Sequence, residues 1–349
     1  MTEENPSFSV IVPCYNYARY LRQSVTSVLR QDTPRVRVLI LDDASHDETP
    51  AVARELCAAD SRVEYLRNKT NIGHIATYNI GIDWADGDYF LLLSADDYLV
   101  EGAFERAAHV FRRHPTLVMT YGKCLIVDAN AAPTEEIAAS HGDRVFTGQD
   151  FIRRSGIHNL VPTPTAIVRT DMQRLVGHYR QELPHTGDLE MWLRFAAHGD
   201  IAYIDAVQAA KREHGQNMAG NFMVEWLPDV EQRGRAIDMF VQAHAAQIED
   251  LDTYRRQTSL ALAKFSLGCA RSALLKAEFE KVEELVRYAE CRAPEVRKTK
   301  YWSHFKWLCR LPRTTWRLTR ATIRLLTEKV PHLAYRLSSV VSGGRYRIT

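Results

Sequence analysis

Four short apolar runs, Phe8–Pro13, Val36–Leu41, Tyr89–Leu93 and Leu117–Leu125, constrain the first third of this chain more than any other feature. They are rich in Val, Ile, Leu and Tyr and barely alternate between apolar and polar. That pattern suits strands buried on both faces of a mostly parallel sheet. Helical spacing separates them: Tyr20, Leu21, Ser24, Val28 and Leu29 follow the first run, Thr49–Cys57 the second and Ala103–Arg113 the third. Strand and helix in alternation predict an α/β sandwich of βαβ units.

In such sheets ligands bind beyond the carboxyl ends of the strands. The polar residues after each run therefore have an address on one rim. They are Pro13-Cys14-Tyr15-Asn16, Asp42-Asp43-Ala44-Ser45 and Ser94-Ala95-Asp96-Asp97. Adjacent carboxylates repel, so two acidic pairs at one rim need a cause. Helix capping is the plain alternative, with Ser45 or Asp47 capping a helix from Glu48 and Asp97 capping a turn. A divalent cation bridging nucleotide phosphates would relieve the repulsion, with another acid left to hydrogen-bond a base or ribose. No GxGxxG follows a strand, GxxxxGK[ST] is absent, and neither GxSxG nor HExxH occurs. Those absences count against a dinucleotide site, a P-loop, a serine-hydrolase elbow and a zincin helix.

Downstream, a strand is expected at Thr165–Arg169 and a helix at Leu189–His198; beyond Met223 the pattern is helical throughout. Ala270–Cys291 reads as one packed helical hairpin. The six cysteines form no CxxC pair, which argues against zinc and disulfides and for a reducing compartment. No signal-peptide pattern opens the chain, and no run of apolar residues is long enough to span a bilayer. Charge is split: from Arg297 onward 13 Lys and Arg face one acid, Glu328, while the remainder is net acidic. In that tail Arg310, Arg313, Arg317, Arg320 and Arg324 recur at helical spacing, with Trp302, Trp307, Trp316 and several leucines interleaved. An interfacial helix on anionic lipid has this composition. The alternative is a helix packed on the acidic body. Nucleic acid is disfavoured because the rest of the chain is acidic.

Three stretches, Phe8–Gln31, Leu41–Thr49 and Asn71–Asp97, resemble the family 2 glycosyltransferases, and the resemblance extends over residues 8–215. It implies an α/β fold of GT-A type, a Rossmann-like mixed sheet with flanking helices, followed here by an α-helical C-terminal region. The domains expected are 1–220 catalytic, 221–296 helical and 297–349 basic tail.

By that resemblance Pro13 and Tyr15 would frame the nucleobase, Asp43 would bond the uracil ring and Asp42 would support it. Asn71, Gly73, Asn79 and Gly81 would line the donor pocket. Asp96 and Asp97, with His214, would bind Mn²⁺ or Mg²⁺ on the diphosphate, and Asp96 the ribose. Ser94 stands where most relatives have Asp. Asp188 would be the general base, with Gly187 where Glu is common; an N-cap is its alternative role. Trp192 would be core or acceptor-site wall. Arg212 would neutralise the leaving group. The implied activity is metal-dependent, inverting hexosyl transfer from a nucleotide sugar, UDP-linked by expectation, to a glycan or lipid-linked hydroxyl. The expected setting is cytoplasmic, peripheral on the inner membrane face through 302–324, with an oligomer compatible. The rival is an inactive sugar-nucleotide-binding scaffold, motivated by Ser94 and Gly187.

Overall fold

The computed structural model describes residues 6–32, 35–137, 140–215, 226–312 and 314–316. It divides into two compact units. The first comprises Met1–Asn217 with Gln242–Glu249, the second Met218–Val241 with Asp250–Thr349.

The first unit is built on a nine-stranded sheet. Its first half follows the expected alternation: β1 Phe8–Cys14, α1 Ala18–Leu29, β2 Val36–Asp42, α2 Thr49–Ala59, β3 Val63–Arg67, α3 His74–Trp84 and β4 Tyr89–Leu92. β1 pairs in parallel with β2 and β4, and β2 with β3. β1, β2 and β4 are buried along nearly their whole length, which explains their unalternating sequences. β3 is an edge strand of mixed polarity, Val-Glu-Tyr-Leu-Arg, with only Val63 buried. Nothing in its sequence distinguishes it from a loop.

The second half is mixed. After β5 Tyr98–Leu99 and α4 Ala103–Arg113 come β6 Leu117–Val127, β7 Arg144–Phe146, α5 Gly148–Ser155, β8 Ile167–Arg169, α6 Thr170–Val176, α7 Gly187–Ala196 and β9 Asp200–Arg212. The strand order is β3-β2-β1-β4-β8-β6-β9-β5, with β7 on β9. β8 runs antiparallel to both β4 and β6, and β5 antiparallel to β9. The strand expected at Thr165–Arg169 starts two residues later, because Thr163–Thr165 form a 3₁₀ turn.

The second unit contains α8 Trp226–His244 for the most part, α9 Leu251–Leu275, α10 Phe279–Arg292 and α11 Lys300–Cys309. α9 and α10 form the expected hairpin, pinned where the Ser266 hydroxyl donates to the Leu285 carbonyl at 2.7 Å. Small residues Ala263, Ala270 and Ala273 on α9 permit the close approach. The separate basic tail expected from 297 is not what the described part of it forms. Val296, Phe305 and Trp316 are buried in the same core as Leu267 and Leu285, so the chain through Trp316 belongs to the helical unit. The remaining tail arginines, 317, 320 and 324, with Arg313, lie outside the described residues. No helix among the described residues is long and apolar enough to cross a membrane.

Candidate active site

The carboxyl ends of β1 and β2 are tied to each other before they meet any ligand. Asn16 and Ala44 both take left-handed backbone (φ 59° and 62°), turning the chain sharply after each strand. The Asn16 amide donates to Ser45 Oγ at 2.9 Å, His46 N to Asn16 Oδ1 at 2.8 Å, and Ala18 N to Asp47 Oδ2 at 3.0 Å. Asp47 also accepts from the first amide of α2, Thr49 N. Of the two expected caps, Asp47 therefore meets that helix and Ser45 does not.

Asp42 and Asp43 have divergent roles. Asp42 is fully buried. It accepts from Ser45 N at 2.7 Å, the Tyr65 hydroxyl at 2.8 Å and Arg67 Nη1 at 2.7 Å. Its carboxylate is thus occupied by the protein and positions the loop that carries Asp43. Asp43 accepts from Asn68 Nδ2 and Ile72 N on Oδ1 and from Gly73 N on Oδ2, each at 2.9 Å. A carboxylate offers about four acceptor positions, so Oδ2 retains room for a further donor. Gly73 has φ +86°, a conformation only glycine adopts without strain. Asn71 Oδ1 accepts the same Gly73 amide at 3.0 Å. Pro13 is half-buried at the end of β1, and Tyr15 just beyond is 41% exposed with its ring available.

Asn79 differs from expectation. Its amide grips the backbone of Tyr179, donating to the carbonyl at 3.0 Å and accepting from the amide at 2.9 Å. It fixes the segment that carries Tyr179. That phenol packs edge-on to Tyr78 (centroids 5.6 Å apart), and it helps to lower the carboxyl of Asp188.

Asp188 lies in the first turn of α7, whose N-cap is Thr186 without a side-chain bond. It is not a cap. Oδ2 accepts the Thr163 hydroxyl at 2.6 Å. Burial pushes the carboxyl above its usual range, while the bonds from Thr163 and Tyr179 pull it back. Two residues on, buried Glu190 pairs with Arg180 and Arg194 at 2.8 and 2.9 Å, and Arg194 also reaches the Val176 and His178 carbonyls. This network locks α7 to the chain before it. Trp192 is core, 4% exposed.

Asp96 and Asp97 sit side by side, 7% and 6% exposed. Burial raises both carboxyls, and Asp97 is raised further by the charge of Asp96. Asp97 caps no turn: its Oδ1 crosses to the Arg212 amide at 2.9 Å. His214 Nε2 lies 3.1 Å from Asp96 Oδ2, its ring stacked on Tyr20 and edge-on to Tyr17. Burial and the neighbouring Asp96 charge push the Tyr17 hydroxyl up to about 12. Burial, and then the charges of Asp188, Asp96 and Asp97, push the Tyr78 hydroxyl up.

No three ligand-type side chains already meet at metal distance among the described residues. Two buried carboxylates of like charge beside a histidine nevertheless fit a hard divalent cation that takes its other ligands from phosphate oxygens and water.

Arg212 is the clearest correction. Its guanidinium is buried, donating to the Asp96, Asp128 and Ala129 carbonyls and, at 2.6 Å, to Gln23 Oε1. It also lies over the Tyr20 ring. These bonds commit the guanidinium to acceptors of the protein itself, where it braces the loops around Asp96 and Asp128. Sequence reading also passed over Tyr78, Thr163 and Tyr179, because a lone Tyr or Thr in a mixed segment carries no pattern. Gln216 and Asn217 lie outside the described residues.

Residues 9–175 match the family model "Glycosyl transferase family 2". An uncharacterized glycosyltransferase of Haemophilus influenzae is 33% identical over 123 residues, covering 35% of this chain and 49% of that protein. The chain thus spans about half the length of that relative. GalNAc(5)-diNAcBac-PP-undecaprenol beta-1,3-glucosyltransferase of Campylobacter jejuni is 33% identical over 130 residues, 35% of this chain and 39% of that one. Among solved structures, S. aureus TarS in complex with UDP-GlcNAc superposes with a TM-score of 0.55 at 17% identity, covering 84% of this chain and 92% of that one. At that identity the likeness speaks for the fold: a GT-A-type mixed sheet with flanking helices, then a helical region.

Proposed function

Because this chain belongs to glycosyl transferase family 2 through residues 9–175, we propose that it transfers a hexose from a UDP-sugar to a hydroxyl of a glycan or lipid-linked acceptor, with inversion. The observation that carries this reading is the buried Asp96–Asp97 pair just after β4, with His214 Nε2 3.1 Å from Asp96 Oδ2. The complex of TarS with UDP-GlcNAc and the undecaprenol-linked acceptor in the name of the Campylobacter relative support the choice of donor and acceptor class.

Asp43, held by Asn68 and the Ile72 and Gly73 amides, accepts the uracil N–H on its remaining acceptor position, and Tyr15 and Pro13 cover the base. Asp96, Asp97 and His214 would hold Mn²⁺ or Mg²⁺, which would offset charge on the departing diphosphate. Asp188 takes the proton of the acceptor hydroxyl as that oxygen attacks the anomeric carbon; the Thr163 and Tyr179 hydroxyls aim its carboxylate. General-base assistance of this kind contributes about 10²–10⁴-fold. Attack in line with the departing phosphate inverts the centre, so an α-linked donor yields a β-glycoside.

For an acceptor presented on lipid, we place the enzyme peripherally on the cytoplasmic membrane face through residues 302–324. Tyr301 and Trp307 on α11 are 61% and 56% exposed beside Lys300 and Lys306, a combination that suits an anionic interface. Calorimetric titration with UDP, with and without Mn²⁺, tests the donor reading. Metal-dependent binding is expected, and a folded sample that binds no UDP refutes it. An inactive sugar-nucleotide-binding scaffold would bind UDP and turn nothing over.

A further inference from the structure

Removing Arg212 from the diphosphate leaves the site without an assigned protein cation, and the strand that carries Arg212 supplies another. Side chains alternate along β9. Arg212 and Gln208 project to the side of α1 and α4, where Gln208 Oε1 meets Arg106 at 2.6 Å. Lys211 projects to the opposite side. The 3₁₀ turn Thr163–Thr165 packs on β6 and β9, and Thr163 holds Asp188.

Register fixes its height along the strand. β5 pairs antiparallel with β9 through Tyr98 opposite Ala210. One step along that register sets Asp97 level with Lys211, consistent with the bond from the Arg212 amide to Asp97 Oδ1. Residues opposite each other on paired strands share a face. Lys211 is half-buried, and its ammonium makes no ion pair among the described residues. Its positive charge favours the ionised forms of Asp96, Asp97 and Asp188.

We propose that Lys211 is the side-chain cation that pairs with the phosphate oxygens of the nucleotide donor, the role sequence reading gave to Arg212. The inference rests on the nucleotide-sugar reading above. A flexible ammonium with three donors suits phosphate oxygens that gain charge as the sugar departs.

Full-length wild type, Lys211→Gln and Lys211→Arg are titrated with UDP and Mn²⁺ by calorimetry, and with uridine by ligand-observed NMR. Loss of a charge-assisted contact predicts about 10–100-fold weaker UDP binding for Lys211→Gln. Uridine binding and thermal unfolding should be unchanged, and Lys211→Arg should restore most of the UDP affinity. UDP binding by Lys211→Gln at the wild-type level overturns the inference while leaving the nucleotide reading intact. Equal loss of uridine and UDP also overturns it, because the effect would then be structural. A wild type that binds neither ligand overturns the nucleotide reading and this inference with it.

Discussion

A Cβ added at Gly187 would lie 3.2 Å from Cδ1 of Tyr179 and 3.5 Å from Cδ1 of Ile75. The Tyr179 ring therefore stands where a side chain at 187 would go, and its hydroxyl favours the ionised form of the neighbouring Asp188. The glycine that departs from the family pattern is part of how this chain aims its base candidate. Gly187→Glu should not improve the enzyme. Pushing the ring aside costs about 1–3 kcal/mol of overpacking and should lower both Tm and kcat/KM. Scanning calorimetry and donor turnover on the variant check this; a more active and equally stable Gly187→Glu contradicts it.

If Asp188 is the base proposed above, Thr163 should set the pH at which it works. Its hydroxyl donates to Oδ2 at 2.6 Å and favours the ionised form against burial, which favours the neutral one. Removing the donor leaves burial less opposed, so the carboxyl of Asp188 rises further. In Thr163→Val the acidic limb of the kcat/KM profile should move to higher pH, with UDP affinity unchanged. A limb at the wild-type position would show that Asp188 does not set it.

The pattern that made the first half of the sheet readable is double-sided burial: β1, β2 and β4 could be located from apolar runs alone, and the ligand rim followed from them. The edge strand β3 and the helix α3 were missed for opposite reasons. β3 has too few apolar residues to form a run. α3, His-Ile-Ala-Thr-Tyr-Asn-Ile-Gly-Ile-Asp-Trp, has apolar residues around its whole circumference and no stripe to mark it. Residue type was legible at the site, but direction was not. Asp42 and Asp43 are adjacent and identical, yet one is filled by Tyr65 and Arg67 and the other faces the Ile72–Gly73 turn. Lys211 and Arg212 likewise differ only in the face of β9 each occupies, which depends on pairing with a distant strand.

Asp97 should limit stability where it serves function. Its folded carboxyl is raised by burial and by Asp96, so the unfolded chain ionises it more readily. The resulting penalty is present above the unfolded carboxylate range and vanishes as pH falls below it. Asp97→Asn removes the charge and keeps an oxygen for the Arg212 amide. It should be more stable at pH 7 by about 0.5–2 kcal/mol, inactive, and no more stable than wild type near pH 3. Denaturant unfolding at both pH values measures this. A destabilised variant at neutral pH would show that the charge is already compensated in the protein.

The start of the basic tail should behave as core. Phe305 and Trp316 are 4% and 6% exposed among Leu267, Leu285 and Val296. Phe305→Ala should cost the helical unit about 3–5 kcal/mol, and truncation at Arg297 should unfold it, revealed by loss of helical circular dichroism and increased proteolysis. If the truncated chain keeps a cooperative transition of unchanged Tm, α11 contributes nothing to the fold.

The central claim is that Asp188 serves as the base of an inverting sugar transfer. It is tested most directly by comparing wild type with Asp188→Asn on a panel of UDP-sugars with Mn²⁺ and lipid extract, following release of UDP. Wild type should turn over at least one donor, and Asp188→Asn should be slower by about 10²–10⁴-fold with UDP affinity intact. Undiminished turnover by Asp188→Asn would contradict the assignment, and a wild type that binds UDP yet releases none from any donor would contradict the activity itself.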